Sequence, residues 1–221
     1  MFQKILIAED IDSISLSVEH VMNELQLYNY QFDKYCDGAL LKVRKAIADN
    51  DPFDLLICDL SFKPDGRESK LKTGEELIAA AKAIQPNLKI VVYSVEEKDY
   101  RIKSLFEMFK IDAYVLKGRE SIYQLKIAIK TVAGHKNYIS PEIQHVLQNK
   151  TGTQIDDFDI KIIRHLSYGI SQEDMENVFK EKGIKPNSKS TIEKRLGKLK
   201  IIFKANNPTH LVAIAKDLGI I

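Results

Sequence analysis

The sequence predicts an α/β protein, a five-stranded parallel doubly wound (βα)5 domain, followed by a small all-α domain. Three observations lead there. Short apolar runs alternate with amphipathic, helix-length segments over the first 134 residues. The strand pattern then stops, and only helical segments follow from Asp157. Positive charge gathers at the far end: Lys180–Lys204 holds nine basic and two acidic residues, a balance of +7, whereas residues 1–135 hold 19 basic and 21 acidic, a balance of −2.

The five strands are Lys4–Ala8, Tyr30–Tyr35, Phe53–Cys58, Lys89–Tyr93 and Ala113–Leu116. Three are almost continuously apolar, as strands covered on both faces must be. Helices fall at about 12–27, 37–49, 73–85, 97–109 and 121–134. Strict β-α alternation over five units means a parallel sheet with helices on both faces. The interval 135–155 reads as a linker, with a short helix starting at Pro141 and turn residues at Thr151-Gly152-Thr153. The second domain, 156–221, carries helices near 157–167, 171–182, 189–204 and 209–217, punctuated by Gly169, Gly183 and Asn206-Asn207-Pro208.

At 221 residues, 44% apolar and 29% charged, the chain has a globular composition. No apolar run reaches the roughly 18 residues of a membrane span, and the N-terminus turns acidic too soon for a signal peptide. A cytoplasmic protein with no membrane partner is the expectation. Cys36 and Cys58 have neither CxxC spacing nor an accompanying histidine cluster, so buried free thiols are expected rather than metal ligands.

In an open parallel sheet, function collects at the carboxyl ends of the strands. Strand one ends in Glu9-Asp10, strand three in Asp59, strand four in Ser94 and strand five in Lys117. Three carboxylates brought together repel unless they hold a cation, and oxygen ligands favour Mg²⁺ or Mn²⁺. A metal-bound aspartate stays ionised and can attack phosphorus. The phosphoryl oxygens then need counter-charge and donors, which the metal, Lys117 and Ser94 supply. A lone aspartate after a strand is usually a helix cap; four fitting residue types after four strands are a constellation.

The chain resembles the receiver domains of two-component response regulators over residues 1–134. The resemblance lies in Ile5-Leu6-Ile7-Ala8-Glu9-Asp10, Asp54-Leu55-Leu56-Ile57-Cys58-Asp59-Leu60, Val91-Val92-Tyr93-Ser94 and Tyr114-Val115-Leu116-Lys117-Gly118. It implies that Asp59 is the phosphoacceptor, with Lys117 and Ser94 serving the phosphoryl group. It implies Mg²⁺ held by Asp10, Asp59 and the backbone carbonyl of Ser61, with Glu9 acting through water. It also makes Ser94 and Tyr114 a switch pair, in which the hydroxyl moves to the phosphoryl group and the ring turns inward. A half-buried strand aromatic is the plain alternative for Tyr114. Two features depart from the family pattern. Fourteen residues, Leu60–Thr73, separate Asp59 from Gly74, with a polar insertion at 63–70 that reads as a surface loop, a lid or a partner contact. Val95 follows the serine where a smaller residue is usual, and its bulk is expected to slow phosphorylation and hydrolysis.

In the basic segment, Asn187-Ser188-Lys189-Ser190 supplies caps ahead of Thr191–Lys200. Ile192, Leu196, Leu199 and Phe203 recur at helical spacing and should face a core. Lys189, Ser190, Thr191, Lys194, Arg195 and Lys198 are then available to a DNA groove, against the plain reading of a solvated basic face. Residues 155–219 resemble the LuxR/NarL-type helix-turn-helix, through Ile162–Met175 and Ser190–Leu196, and Tyr138–Glu142 resembles the linker of such regulators. The turn Glu181–Asn187 is long for that family, and Glu193 is unusual on a groove-facing helix. The resemblance implies double-stranded DNA and a sensor histidine kinase as partners, and a homodimer in the active state.

An enzyme is not expected. A phosphoaspartate phosphatase needs a second carboxylate two residues after the nucleophile, and here the run is Asp59-Leu60-Ser61. The rival that remains is a receiver controlled by protein contacts without phosphorylation.

Overall fold

The computed structural model describes residues 1–148, 155–217 and 220–221. The chain divides into two compact units. The first takes Met1–Glu97 and Ile102–Val146, and the second takes Lys98–Arg101 and Leu147–Ile221.

The first unit carries β1 (Ile5–Ala8), α1 (Asp12–Glu24), β2 (Tyr30–Asp33), α2 (Cys36–Ala48), β3 (Leu55–Cys58), α3 (Gly74–Ile84), β4 (Lys89–Ser94), α4 (Asp99–Glu107), β5 (Ala113–Leu116) and α5 (Ser121–Ala133). A two-residue strand, β6 (Tyr138–Ile139), then precedes a 3-10 turn at Pro141–Ile143 and α6 (His145–Gln148). All strands are parallel, in the order β2-β1-β3-β4-β5-β6. Successive strand residues point to opposite faces, and both faces are covered. Leu6, Ala8, Leu56, Cys58, Ile90 and Val92 pack under Leu40 and Val43 of α2, Leu77 and Ile78 of α3, and Ile102 and Leu105 of α4. Ile5, Ile7, Leu55, Ile57, Val91 and Val115 pack under Val18 and Val21 of α1 and Leu125 and Ile129 of α5.

The sheet has six strands where the sequence predicts five. Tyr138 and Ile139 pair with Ala113 and Tyr114, so the first stretch of the expected linker belongs to the first unit. Two residues carry too little periodicity to announce a strand; the free edge of β5 creates it. Ser140 fixes the connection. Its hydroxyl accepts from the Leu116 N–H at 2.9 Å and bonds the Gln124 side chain, whose amide reaches Glu142 at 2.7 Å. The expected turn at Thr151-Gly152-Thr153 lies outside the described residues. Cys36, which opens α2, and Cys58, which ends β3, are buried and free.

In the second unit, α7 (Asp157–Ser167), α8 (Met175–Glu181), α9 (Lys189–Ile202) and α10 (Pro208–Asp217) surround Ile162, Ile163, Met175, Phe179, Ile192, Leu196, Leu199, Leu211 and Ala215. Phe203 is half-buried at the edge of this core. Helix α8 starts four residues later than predicted, because the Ser171 hydroxyl caps a preceding turn by accepting from the Asp174 N–H at 3.1 Å. Ser188 caps α9, its hydroxyl accepting from the Thr191 N–H. Glycines at positive φ, Gly169 (82°) and Gly183 (65°), end α7 and open the α8–α9 turn, a conformation that a side chain disfavours.

Candidate functional site

Strand register brings the acidic residues together. Ala8 lies opposite Cys58, Cys58 opposite Val92, and Ser94 opposite Leu116. One residue further along, Glu9, Asp59 and Lys117 therefore line the same sheet edge, with Ser94 beside Lys117. The Asp59 N–H donates to the Ala8 carbonyl at 3.0 Å, and the Lys117 N–H to the Ser94 carbonyl at 2.8 Å. Strand order reverses between β1 and β3, which is where open α/β sheets bind ligands.

The Lys117 ammonium bridges two buried carboxylates, donating to Glu9 Oε2 at 2.7 Å and Asp59 Oδ2 at 2.6 Å. Asp59 Oδ1 accepts from the Leu60 N–H at 2.6 Å and, more weakly, from the Ser61 N–H at 3.4 Å. Glu9 Oε1 accepts from the Ile11 N–H at 3.1 Å. Burial pushes the Glu9 carboxyl above its ordinary range, opposed by Lys117 and the Ile11 amide. Burial acts to lower the Lys117 ammonium, but its bonds to Asp59 and Glu9 outweigh that and hold it above the usual lysine value.

Glu9, Asp10 and Asp59 each offer an oxygen within 4.8 Å of the others. Three carboxylates against one ammonium leave a formal charge of −2, which suits a divalent cation. Asp10 Oδ2 accepts from the Lys63 N–H at 2.9 Å, whereas its buried Oδ1 has no hydrogen-bond partner among the described residues. Buried polar atoms are almost always paired, so this oxygen fits a metal ligand. The Ser94 hydroxyl is fully buried and likewise unpaired. It is a donor without an acceptor among the described residues, at the end of the strand next to the one that leads to Asp59.

Tyr114 is fully buried, not half-buried, and its hydroxyl donates to the Glu96 carbonyl at 2.7 Å. Val95, at the end of β4, is 62% exposed.

The insertion is pinned down on one side of the pocket. Its Lys63 N–H is held by Asp10, the Lys70 and Leu71 N–H groups donate to Asp37 at 2.7 and 3.1 Å, and Tyr35 donates to Asp65 at 2.7 Å. Phe62 and Leu71 pack against the core at either end. A groove of about 630 Å³ lies between this strap and Lys34–Cys36. Sequence reasoning missed Asp37 as its anchor. It also missed Gly74, where an added Cβ would stand 1.9 Å from the Asp59 carbonyl oxygen. The signal for Gly74 was Thr73 ahead of it with Glu76 following, a capping box that places the helix N-terminus against the strand end that carries Asp59.

In the second unit, Lys189, Ser190, Glu193, Lys194 and Lys198 are exposed on one face of α9, and Thr191 is half-buried. Arg195 departs from the expectation of a groove-facing residue. It is tied to the N-terminus of α7, bonding Asp156 and standing 2.8 Å from Asp159 Oδ1. The latter contact is an ion pair without hydrogen-bond alignment, since neither atom is satisfied by direction. Asp156 and Asp159 cap α7 reciprocally. Burial raises Asp159 above the ordinary carboxylate value, opposed by the Asp156 amide and by the charges of Arg195 and Lys198.

The sheet order, the acidic pocket at the strand ends and the helical unit with its turn between α8 and α9 define the two-domain fold of a receiver joined to a helix-turn-helix module. Solved structures share this fold. The RcsB response regulator of Salmonella typhimurium matches with a TM-score of 0.64 at 17% identity, over 97% of this chain and 99% of that one. RcsB from Salmonella enterica serovar Typhimurium, bound to a promoter in the presence of phosphomimetic BeF3⁻, matches with a TM-score of 0.62 at 17% identity, over 96% and 97%. Its isolated REC domain, also with BeF3⁻, matches with 0.53 at 20% identity, over 65% of this chain and 97% of that one. No protein-family model and no curated protein matches the sequence. Among the described residues no helix is long and apolar enough to cross a membrane.

Proposed function

We propose that this chain is a DNA-binding transcription regulator of a two-component system, switched by phosphorylation of Asp59. The observation that carries the reading is the Glu9–Asp10–Asp59 cluster clamped by Lys117, with two buried oxygens, Asp10 Oδ1 and Ser94 Oγ, waiting for partners.

Asp10, Asp59 and the Ser61 carbonyl would hold Mg²⁺, with Glu9 outside them through water. The ion, when bound, offsets the acidic charge and that of the arriving phosphoryl oxygens. The Leu60 N–H fixes the Asp59 carboxylate plane. An Asp59 oxygen forms the new bond to phosphorus as the bond from phosphorus to the donor, the phosphohistidine of a sensor kinase, breaks. Lys117 shifts from its carboxylate partners toward the phosphoryl oxygens, and Ser94 donates to one of them. The chain catalyses no turnover of its own beyond loss of that phosphate; it is a switch rather than an enzyme.

Phosphorylation then shifts the receiver population toward a form that pairs into a homodimer. Two copies would set two α9 helices about one helical turn apart on double-stranded DNA. Lys189, Lys194 and Lys198, with Ser190 and Thr191, are the groups that meet it. The RcsB structures bound to DNA support this assignment by fold. The cytoplasm is where such a regulator acts.

A second reading, control by protein contacts alone, draws on Tyr114. Its ring is already inward, the position that the resemblance assigns to the phosphorylated state. One experiment separates the two. The protein is incubated with acetyl phosphate and Mg²⁺ and weighed intact, beside Asp59→Asn, with DNA retention measured on each. One added phosphate, absent from Asp59→Asn and accompanied by tighter DNA binding, is expected. No added mass, or equal DNA binding by both forms, sinks the phosphoswitch.

A further inference from the structure

Two residues on the exposed face of α9 do nothing for the fold. Glu193 is exposed and makes no hydrogen bond or ion pair among the described residues, although Lys189, Lys194 and Lys198 share its helix. Gly197, one turn further on, sits inside a 14-residue helix. A Cβ built on it would meet nothing within 4 Å, and its φ is not positive. Glycine weakens a helix interior relative to alanine, and neither packing nor backbone conformation in this unit requires it. What a glycine supplies is room for something outside the chain to come close.

Residues 190, 193, 194 and 197 form one helical stripe, because neighbours on a helix surface lie three and four positions apart. The lysines around it are suited to phosphates. A carboxylate in the same place is repelled by phosphates and by the acceptor edges of guanine and thymine. It gains only where it meets an exocyclic amino donor, and the cytosine N4 group is the one a carboxylate matches in the major groove.

We infer that Glu193 is the base-selecting residue of this helix, accepting from cytosine, and that Gly197 lets the helix sit deep enough for it to reach. The inference rests on the DNA-binding reading above. It divides the stripe into lysines that give affinity and a carboxylate that gives selectivity.

The test is selection from a random duplex pool by the full chain after acetyl phosphate and Mg²⁺ treatment, using wild type, Glu193→Gln, Glu193→Ala and Gly197→Leu. Wild type should enrich cytosine at one position in each half-site, by on the order of 5- to 100-fold, as a good base contact gives. Glu193→Ala should lose that preference, and Glu193→Gln should move it toward adenine, whose N6/N7 edge suits an amide. Gly197→Leu should bind every duplex more weakly while its circular dichroism spectrum stays native. Identical base profiles in wild type and both Glu193 variants would overturn the inference. So would a uniform gain in affinity of Glu193→Ala with the profile unchanged. Failure of wild type to retain any duplex would instead remove the DNA-binding reading itself.

Discussion

Replacing Lys117 by methionine keeps an unbranched side chain, one atom shorter, and removes its charge. The ammonium now stands 2.7 Å from Glu9 and 2.6 Å from Asp59, whose side chains are 3% and 4% exposed. At such separations Coulomb's law with an effective dielectric of about 20 gives about 6 kcal/mol of gross attraction per pair. Lost hydration, several kcal/mol per ion, cancels most of it. The measurable quantity is the cost of stranding the partners, about 3–5 kcal/mol for a buried pair. Urea unfolding of the full chain, followed by circular dichroism without divalent metal, should show the receiver transition weakened by that amount. Mg²⁺ should narrow the gap. At about a hundred times its dissociation constant a bound ion adds roughly 2.7 kcal/mol to wild type, and it should add more to a variant with no competing ammonium. A metal-free difference under about 1 kcal/mol would mean that Lys117 does not hold the acidic cluster together. A gap unaltered by Mg²⁺ would mean that the cluster is not a cation site.

Gly74→Ala should disturb the strand end that carries Asp59, because the new Cβ falls 1.9 Å from the Asp59 carbonyl oxygen; overpacking of this kind costs about 1–3 kcal/mol, so native stability would contradict it. Arg195→Ala should destabilise the helical unit by about 3 kcal/mol, the lower end of the range for a stranded buried charge, because buried Asp159 loses the guanidinium 2.8 Å from it. Its salt dependence of DNA binding should stay at the wild-type slope, whereas Lys194→Ala should reduce the slope by about one; the reverse pattern would restore Arg195 as a phosphate contact. Cys36 should resist iodoacetamide at neutral pH, since burial pushes its thiol up to about 12 and the thiolate is the nucleophile. A thiol raised in the folded state stabilises fully below its unfolded value of 9.0, and that contribution is lost as pH rises toward 12. Unfolding midpoints should therefore fall across that window, and a Cys36→Ala variant with the same fall would assign it to another group.

The amino-acid sequence by itself determined the five β-α units and the residues at their strand ends. Both follow from short-range patterns: period two or a continuous apolar run for strands, three- and four-residue spacing for helices, and polar residues where the runs stop. Because parallel strands pair in register, Glu9, Asp59, Ser94 and Lys117 had to share one edge once the strands were placed. The same logic put Ile192, Leu196 and Leu199 of α9 inward and Lys194 and Lys198 outward. Tertiary structure decided the rest. Tyr138 and Ile139 became a strand because the edge of β5 was open to them, not through any preference of two residues. Arg195 sits on the same helix as the lysines, yet it turned to Asp156, 39 positions away, because packing of α7 against α9 put that exposed carboxylate and the buried Asp159 beside it. Gly74 and Asp37 gained their importance only when the chain returned to Asp59 and laid the insertion against α2. Local pattern specifies which face a residue takes; which partner meets it there depends on how distant segments pack, and no short window of sequence contains that.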